Sequence, residues 1–276
     1  MTRLTSRDFK RVPNNIARRD QELKRVLGAG LLDVARLAAG FDGDPRKAFQ
    51  NYRCKVVPMT CGKGIIPGFA EAVAAILNYI GLKAEVASKP DVGGFAEALR
   101  DGCHVVFAAD DEFFVGFNFK TLMYTYNFDA TGRAYAAALE IKAGGLSGKA
   151  VALIGAGRVG SAAADYLCRK GAKVYVYDIV PEKARRLKEK YPGQVDCCDS
   201  IASCISKANL VLLAAPGKNL IPASLVNDEK VFAVPAVPLG LSPLARAKIR
   251  RENLIHDKLE LGVATMAVDL MKWYIA

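Results

Sequence analysis

The chain has 276 residues, of which 51% are hydrophobic and 24% charged, with a formal net charge of +11. That length carries one or two domains with a sizeable core, and the hydrophobic share fits a globular α/β protein. No apolar run reaches the roughly 18 residues of a membrane span, and the N-terminal stretch lacks the apolar segment of a signal peptide, so no membrane partner and a cytoplasmic location are expected.

The first 50 residues read as helices in pieces, Thr5–Arg11, Asn15–Val26 and Leu31–Ala38, broken by Pro13 and by Gly28–Gly30. Positive charge gathers here: residues 1–60 hold 13 Lys and Arg against 6 Asp and Glu. Arg11, Arg18, Arg19, Lys24 and Arg25 fall on a polar helix, without the aromatic–basic interleaving of a nucleic-acid module. A solvated basic face is therefore expected, not a nucleic-acid partner. Its functional form is attraction of an anionic cofactor and a carboxylate-bearing substrate.

From Lys55 the pattern becomes strand, loop, helix, repeated. Lys55–Met59, Lys83–Ala87 and His104–Ala108 read as strands, and Gly68–Ile80 and Gly94–Arg100 as helices. This alternation predicts a small parallel sheet, and in such sheets ligands gather at the carboxyl ends of the strands. Those ends carry Thr60-Cys61-Gly62, Ser88-Lys89-Pro90-Asp91 and Asp110-Asp111. Gly62 and Gly64 are expected to bring backbone N–H groups close to an anion, such as a substrate carboxylate.

Thr131–Ala143 reads as a helix linking two domains, 1–130 and 131–276, with Gly144-Gly145 ending it. A short apolar strand, Val151–Ile154, then runs into Gly155-Ala156-Gly157-Arg158-Val159-Gly160, followed by a helix over Ser161–Lys170. In this dinucleotide fingerprint Gly155 permits a tight turn, Gly157 lets the backbone approach a pyrophosphate, and Gly160 lets helix and strand pack closely. The helix N-terminus offers unpaired N–H groups to the phosphates. The next strand, Lys173–Tyr177, ends at Asp178, whose carboxylate suits ribose hydroxyls and repels a 2′-phosphate; NAD is therefore the expected cofactor. Strands over Leu210–Ala214 and Val231–Val234 end at Ala215-Pro216 and Pro235, expected near the nicotinamide half. After a short strand at Leu254-Ile255 and then Asp257, the amphipathic helix Gly262–Trp273 is expected to pack back on the first domain. The fold class is α/β: a C-terminal Rossmann domain, preceded by a domain of helices and a small parallel sheet.

A nicotinamide enzyme acting on an alcohol or amine needs a group that removes a proton as hydride leaves carbon. Asp110-Asp111 ends a strand, and adjacent residues there point to opposite sides, so one of the pair is expected to face the cleft and the other to cap or be solvated. Burial would raise the pKa of the facing carboxyl. Cys61 is read as lining the pocket, since hydride transfer needs no covalent step. The seven cysteines form no CxxC pair, and Cys197-Cys198 have no matching histidine, so free thiols and no metal are expected. His104 and His256 read as packed or hydrogen-bonded residues.

The stretches Val57–Ile66, Lys89–Gly94, Ala109–Asp111, Asn127 and the Gly155–Gly160 fingerprint resemble the pyrrolysine synthase (PylD) family, with similarity running from Leu4-Thr5 to Gly262–Met266. The resemblance implies NAD-dependent oxidation of the terminal amine of a small dipeptide-like amino acid, Nε-(3-methyl-D-ornithyl)-L-lysine. The oxidised product loses ammonia and closes with the ornithine α-amine to form a pyrroline ring. It also implies that Asp110 is the catalytic carboxylate, Leu4 a lid residue over substrate, and Asn127 and Asp257 polar groups that hold it. Cys61 stands where the archaeal form has serine, and Asp257 where it has glutamate. A homodimer is the default assembly. The competing readings are another NAD-dependent amino-acid or amine dehydrogenase, an enzyme built like methylenetetrahydrofolate dehydrogenase, a non-catalytic NAD-binding regulatory module, and a basic nucleic-acid-binding protein that uses its N-terminal helix.

Overall fold

A computed structural model describes residue 9 and residues 11–272. Leu4, most of the helix expected over Thr5–Arg11, and Trp273 lie outside the described residues. The chain divides into two compact units: residues 1–22, 30–130 and 259–276, and residues 23–29 with 131–258.

The first unit opens with α1 (Val12–Leu27), α2 (Leu31–Ala39) and the short α3 (Pro45–Phe49). The last residues of α1 belong to the second unit. Pro13 does not break α1, because a proline in the first turn gives up an N–H that has no helical partner there. Next come β1 (Arg53–Pro58), α4 (Phe69–Ile80), β2 (Lys83–Val86), α5 (Asp91–Arg100) and β3 (Val105–Ala109). These strands pair in parallel in the order β2-β1-β3, with Cys54 opposite Ala84 and Val105. On α4, Val73, Ile76, Leu77 and Ile80 are buried, each stabilising the fold by roughly 1.5–3 kcal/mol. Ala98 of α5 joins Val57, Val106 and Ala108 in a second apolar cluster. The start of α5 lies so close to β1 that a Cβ on Gly94 would sit 2.5 Å from the Lys89 carbonyl oxygen and 2.6 Å from a Val57 methyl.

The sheet does not stop at β3. Two antiparallel strands, β4 (Phe114–Asn118) and β5 (Tyr124–Tyr126), extend it to the order β2-β1-β3-β4-β5. The expected parallel sheet is thus the parallel part of a mixed one. The reversal at the end of β3 has a functional consequence, because β5 then runs in the same sense as β1 and β3. The end of β5 therefore lies at the same edge as the ends of β1 and β3, together with the start of β4. At the close of the chain α11 (Glu260–Asp269; α6 to α10 follow below) packs on α2 and α4. It is not amphipathic: every residue from Glu260 to Met271 is buried. The Asn118 side-chain amide donates to the Leu270 carbonyl at 2.7 Å, and the Thr125 hydroxyl to Asp269 at 3.1 Å.

The second unit takes most of α6 (Asn127–Ala143), which starts before the boundary at Thr131. It continues with β6 (Ala150–Ile154), α7 (Arg158–Arg169), β7 (Lys173–Tyr177), α8 (Pro181–Lys190), β8 (Val195–Cys197), α9 (Ile201–Ser206), β9 (Leu210–Leu213), β10 (Val231–Ala233), α10 (Pro243–Lys248) and β11 (Leu254–Ile255). All six strands are parallel, in the order β11-β10-β9-β6-β7-β8. In chain order from β6 this is the doubly wound 3-2-1-4-5-6 arrangement, whose switch point lies between β6 and β9. No helix among the described residues is long and apolar enough to cross a membrane.

Candidate active site

In the second unit the glycine turn follows β6 and faces the end of β9. Gly155 has φ +97°, a conformation that favours glycine, and a Cβ there would lie 2.8 Å from the Ala215 nitrogen. Gly160 is held tighter still: its Cβ would sit 1.9 Å from the Gly155 carbonyl oxygen. Gly157, the residue preceding α7, differs from both. It has an ordinary φ of −72°, and a Cβ there would meet no atom within 4 Å. Two glycines thus close the turn, and the third leaves room over a helix N-terminus for a phosphate-bearing ligand. The donor set fits a dinucleotide.

Arg158 and Val159 open α7, which begins three residues earlier than periodicity suggested because the last glycine is already helical. Ala162, Leu167 and Cys168 of this helix are buried. Gly132 of α6 explains how α7 is backed: its Cβ would lie 2.3 Å from the Val159 carbonyl oxygen. Asp178, half-buried at the end of β7, accepts hydrogen bonds from the Ala156 N–H at 2.7 Å and the Val180 N–H at 2.8 Å. Its carboxylate therefore stiffens the glycine turn, and its remaining lone pairs suit ribose hydroxyls. Ala215 is half-buried and Pro216 exposed after β9, and Pro235 is half-buried just beyond β10. Asp257 follows β11. Its N–H donates to the Tyr135 hydroxyl at 2.9 Å, and that hydroxyl donates to the Asp257 carbonyl at 3.1 Å. His256 Nδ1 lies 2.7 Å from the Val234 carbonyl oxygen, a structural contact.

In the first unit the candidate residues collect at the edge where β1, β3 and β5 end. Asp110 is exposed. Its Oδ1 accepts the N–H groups of Glu112 and Phe113, both at 2.7 Å, and its own N–H donates to the Phe113 carbonyl at 2.8 Å. The turn into β4 thus locks one carboxylate oxygen, while Oδ2 accepts no hydrogen bond from the described residues. Asp111 turns the other way, onto the loop after β1, where it accepts the Lys63 N–H at 2.6 Å. Cys61 sits in that loop, exposed. Asn127, after β5, donates from its side chain to the Met266 sulfur at 3.5 Å. Asp110, Cys61 and Asn127 therefore share one edge of the first unit, whereas Asp257 belongs to the second.

Three features had no sequence signal. A row of rings runs along this edge: Phe113 packs on Tyr126 at 5.9 Å between centroids, and Tyr126 stacks on Phe128 at 5.2 Å. Asp91 takes the N–H of Thr60 at 2.8 Å and its hydroxyl at 2.5 Å, and these bonds hold its carboxyl below the usual range. Behind it Glu97 accepts the N–H and hydroxyl of Ser88, which, aided by the Lys55 ammonium, bring its pKa down to about 2. Buried Lys55 also pairs with Glu85 and Asp101; burial pulls its pKa down, but the three carboxylates outweigh that and leave it raised. The expected anion site on the Thr60–Gly64 loop therefore needs correcting. The carboxylates that take its N–H groups, at Thr60 and Lys63, are the chain's own. None of the seven cysteines forms a disulfide, and no metal-like cluster of His, Cys, Asp and Glu occurs among the described residues.

Residues 8–125 match the family described as pyrrolysine biosynthesis protein PylD, N-terminal domain, and residues 137–232 match shikimate / quinate 5-dehydrogenase. Pyrrolysine synthase of Methanosarcina acetivorans is 31% identical over 98% of this chain and 100% of its own length. That of Methanosarcina barkeri is 28% identical over 98% of both chains. Among solved structures, quinate dehydrogenase from Corynebacterium glutamicum in complex with NAD superposes with a TM-score of 0.53 at 17% identity, covering 80% of this chain and 92% of that one. At that identity it shows a shared fold.

Proposed function

The chain belongs to the pyrrolysine synthase family, an oxidoreductase with a Rossmann unit for a nicotinamide cofactor, and we propose that it oxidises the terminal amine of Nε-(3-methyl-D-ornithyl)-L-lysine with NAD. The observation that carries this reading is the Asp110 carboxylate, with Oδ1 fixed by two N–H groups and Oδ2 presented to solvent. A group held this way binds an ammonium in one orientation and then takes its proton. The order matters, because a protonated amine has no lone pair to replace the electrons that leave with hydride.

In balance, R–CH2–NH3+ becomes R–CH=NH2+, releasing one hydride and one proton. The proton goes to Asp110 Oδ2; the nicotinamide, when bound, supplies the hydride acceptor. The substrate's own α-amine then adds to the iminium carbon, ammonium leaves, and a C=N bond closes the five-membered ring. In this reading Asn127, Cys61 and Asp257 contact polar atoms of the substrate, and the half-buried rings of Phe113, Tyr126 and Phe128 line its methylenes. The Gly157 opening and the N-terminus of α7 hold the pyrophosphate, and Asp178 holds the ribose and selects NAD over its 2′-phosphorylated form.

The test is NADH formation from the purified protein with NAD and the dipeptide, together with release of ammonium and a product mass lower by the elements of ammonia and two hydrogens. Asp110→Asn is expected to lose turnover and retain NAD binding. Absence of NADH from the parent protein sinks the assignment, and full activity in Asp110→Asn removes that residue from the base role.

A further inference from the structure

Two carboxylates stand side by side after β3, and the structure gives them different partners. We propose that Asp111 is a positioning residue for the reaction, holding the Thr60–Gly64 loop in the shape that sets Cys61 at the sheet edge it shares with Asp110. The inference rests on the function proposed above.

The loop is intrinsically loose. Its five residues contain two glycines, which lose the most conformational freedom on ordering, and none of the five is buried. Within the loop the Gly64 N–H donates to the Cys61 carbonyl at 3.2 Å. Two carboxylates anchor it from outside. Asp91 holds the first residue through both the N–H and hydroxyl of Thr60, and Asp111 holds the fourth through the Lys63 N–H. Cys61 lies between these anchors.

The fit at the second anchor is close. Gly62 has φ +66°, and a Cβ on it would fall 2.4 Å from Asp111 Oδ2 and 3.1 Å from its Cγ. The carboxylate therefore occupies the space a side chain would take, and only glycine lets it reach the next N–H. Gly62 and Asp111 act as one joint. The first anchor is itself braced. Asp91 adopts φ +53°, unusual for a residue with a side chain, and the segment before it is held through Ser88 and Lys89 by Glu97. Chain continuity does the rest: Asp111 is bonded to Asp110, so the joint fixes the loop relative to the turn that aims Asp110 Oδ2.

Asparagine keeps an oxygen that accepts the Lys63 N–H, and alanine does not. Asp111→Asn is therefore expected to keep kcat and KM within about twofold of the parent, whereas Asp111→Ala raises KM for the dipeptide by about tenfold or more. NAD affinity stays unchanged in both. Hydrogen exchange of the peptide spanning residues 60–64 provides a readout independent of turnover: about tenfold faster in Asp111→Ala, parental in Asp111→Asn. Gly62→Ala, which pushes the carboxylate out, is expected to reproduce the alanine result and serves as the second variant if Asp111→Ala does not fold.

Parental exchange in both Asp111→Ala and Gly62→Ala overturns the proposal. So does an Asp111→Asn protein as inactive as Asp110→Asn, which would give Asp111 a chemical role. If the parent itself does not oxidise the dipeptide, the functional reading fails, while the exchange rates still report whether the joint exists.

Discussion

Gly160 and Gly157 lie three residues apart in one turn, and the structure predicts opposite consequences for the same substitution. In Gly160→Ala the new methyl carbon starts 1.9 Å from the Gly155 carbonyl oxygen, and real contacts of this kind essentially never fall under 3.0 Å. More than 1 Å of movement must be found between two backbone segments, one of them a positive-φ glycine pressed against Ala215. Overpacking of this kind costs about 1–3 kcal/mol, with the rigidity of both partners placing it at the upper end, and lower unfolded-state freedom returns roughly 0.4–1 kcal/mol. A net loss of about 2 kcal/mol lowers the midpoint of thermal unfolding by roughly 4–8 °C in a protein of this size. In Gly157→Ala the methyl meets no atom within 4 Å, so the folded protein should change by less than about 1 kcal/mol, a modest capping loss offset by the same unfolded-state gain. The methyl instead fills the opening over α7, and cofactor affinity is expected to fall by about tenfold or more, or 1.4 kcal/mol. Thermal unfolding followed by circular dichroism and NADH fluorescence titration separate the two effects. A Gly160→Ala protein with parental stability would refute the packing argument. Parental affinity in Gly157→Ala would place the pyrophosphate elsewhere.

Asp178→Asn removes the charge and leaves one oxygen, which can accept from only one of the Ala156 and Val180 N–H groups. NADP affinity should therefore rise relative to NAD by about tenfold in paired titrations, and equal affinities in the parent would contradict the ribose argument. Tyr135→Phe deletes the hydroxyl that both donates to and accepts from the Asp257 backbone, with an expected stability loss of about 1–3 kcal/mol by urea unfolding; no loss would mean that water replaces both bonds. Glu97 titrates at about 2 in the folded chain against an ordinary 4.5, so its stabilising contribution is present above pH 4.5 and is lost as pH falls toward 2. The urea midpoint of the parent should drop across that window more steeply than that of Glu97→Gln, with Asp91 contributing in the same direction. Identical slopes would show that the Ser88 bonds do not form in solution.

What was legible in the sequence is what depends on neighbours along the chain. A strand, a glycine turn, a helix and an acid at fixed spacing marked the candidate nucleotide site, and two of its glycines answer constraints of the turn itself, Gly155 by its positive φ and Gly160 by its approach to the Gly155 carbonyl. The alternation from Lys55 to Ala109 carried β1 to β3 for the same reason. The hairpin after β3 was not readable. From Phe113 to Phe128 the chain is crowded with aromatic residues, and its reversal passes through Leu122 at φ +56°, a conformation that favours glycine or asparagine and that a leucine does not announce. That hairpin brings Asn127 and the ring row to the edge that carries Asp110, so a local blind spot became a gap in the site.

The adjacent pair Asp110-Asp111 shows the limit most sharply. Alternation says only that neighbouring side chains diverge, and it is silent on which partner each one finds. The answer comes from two backbone conformations: a turn that folds Glu112 and Phe113 back onto Asp110, and a glycine 48 residues before Asp110 whose missing side chain makes room for Asp111. Neither has a period or a spacing. The base role proposed for Asp110 needs an oriented carboxylate with an oxygen to spare, and its short turn holds Oδ1 alone. Asp111 reaches the loop because Gly62 is bare. If both variants of this pair behaved alike, the division of labour would lie in the substrate rather than in the turn.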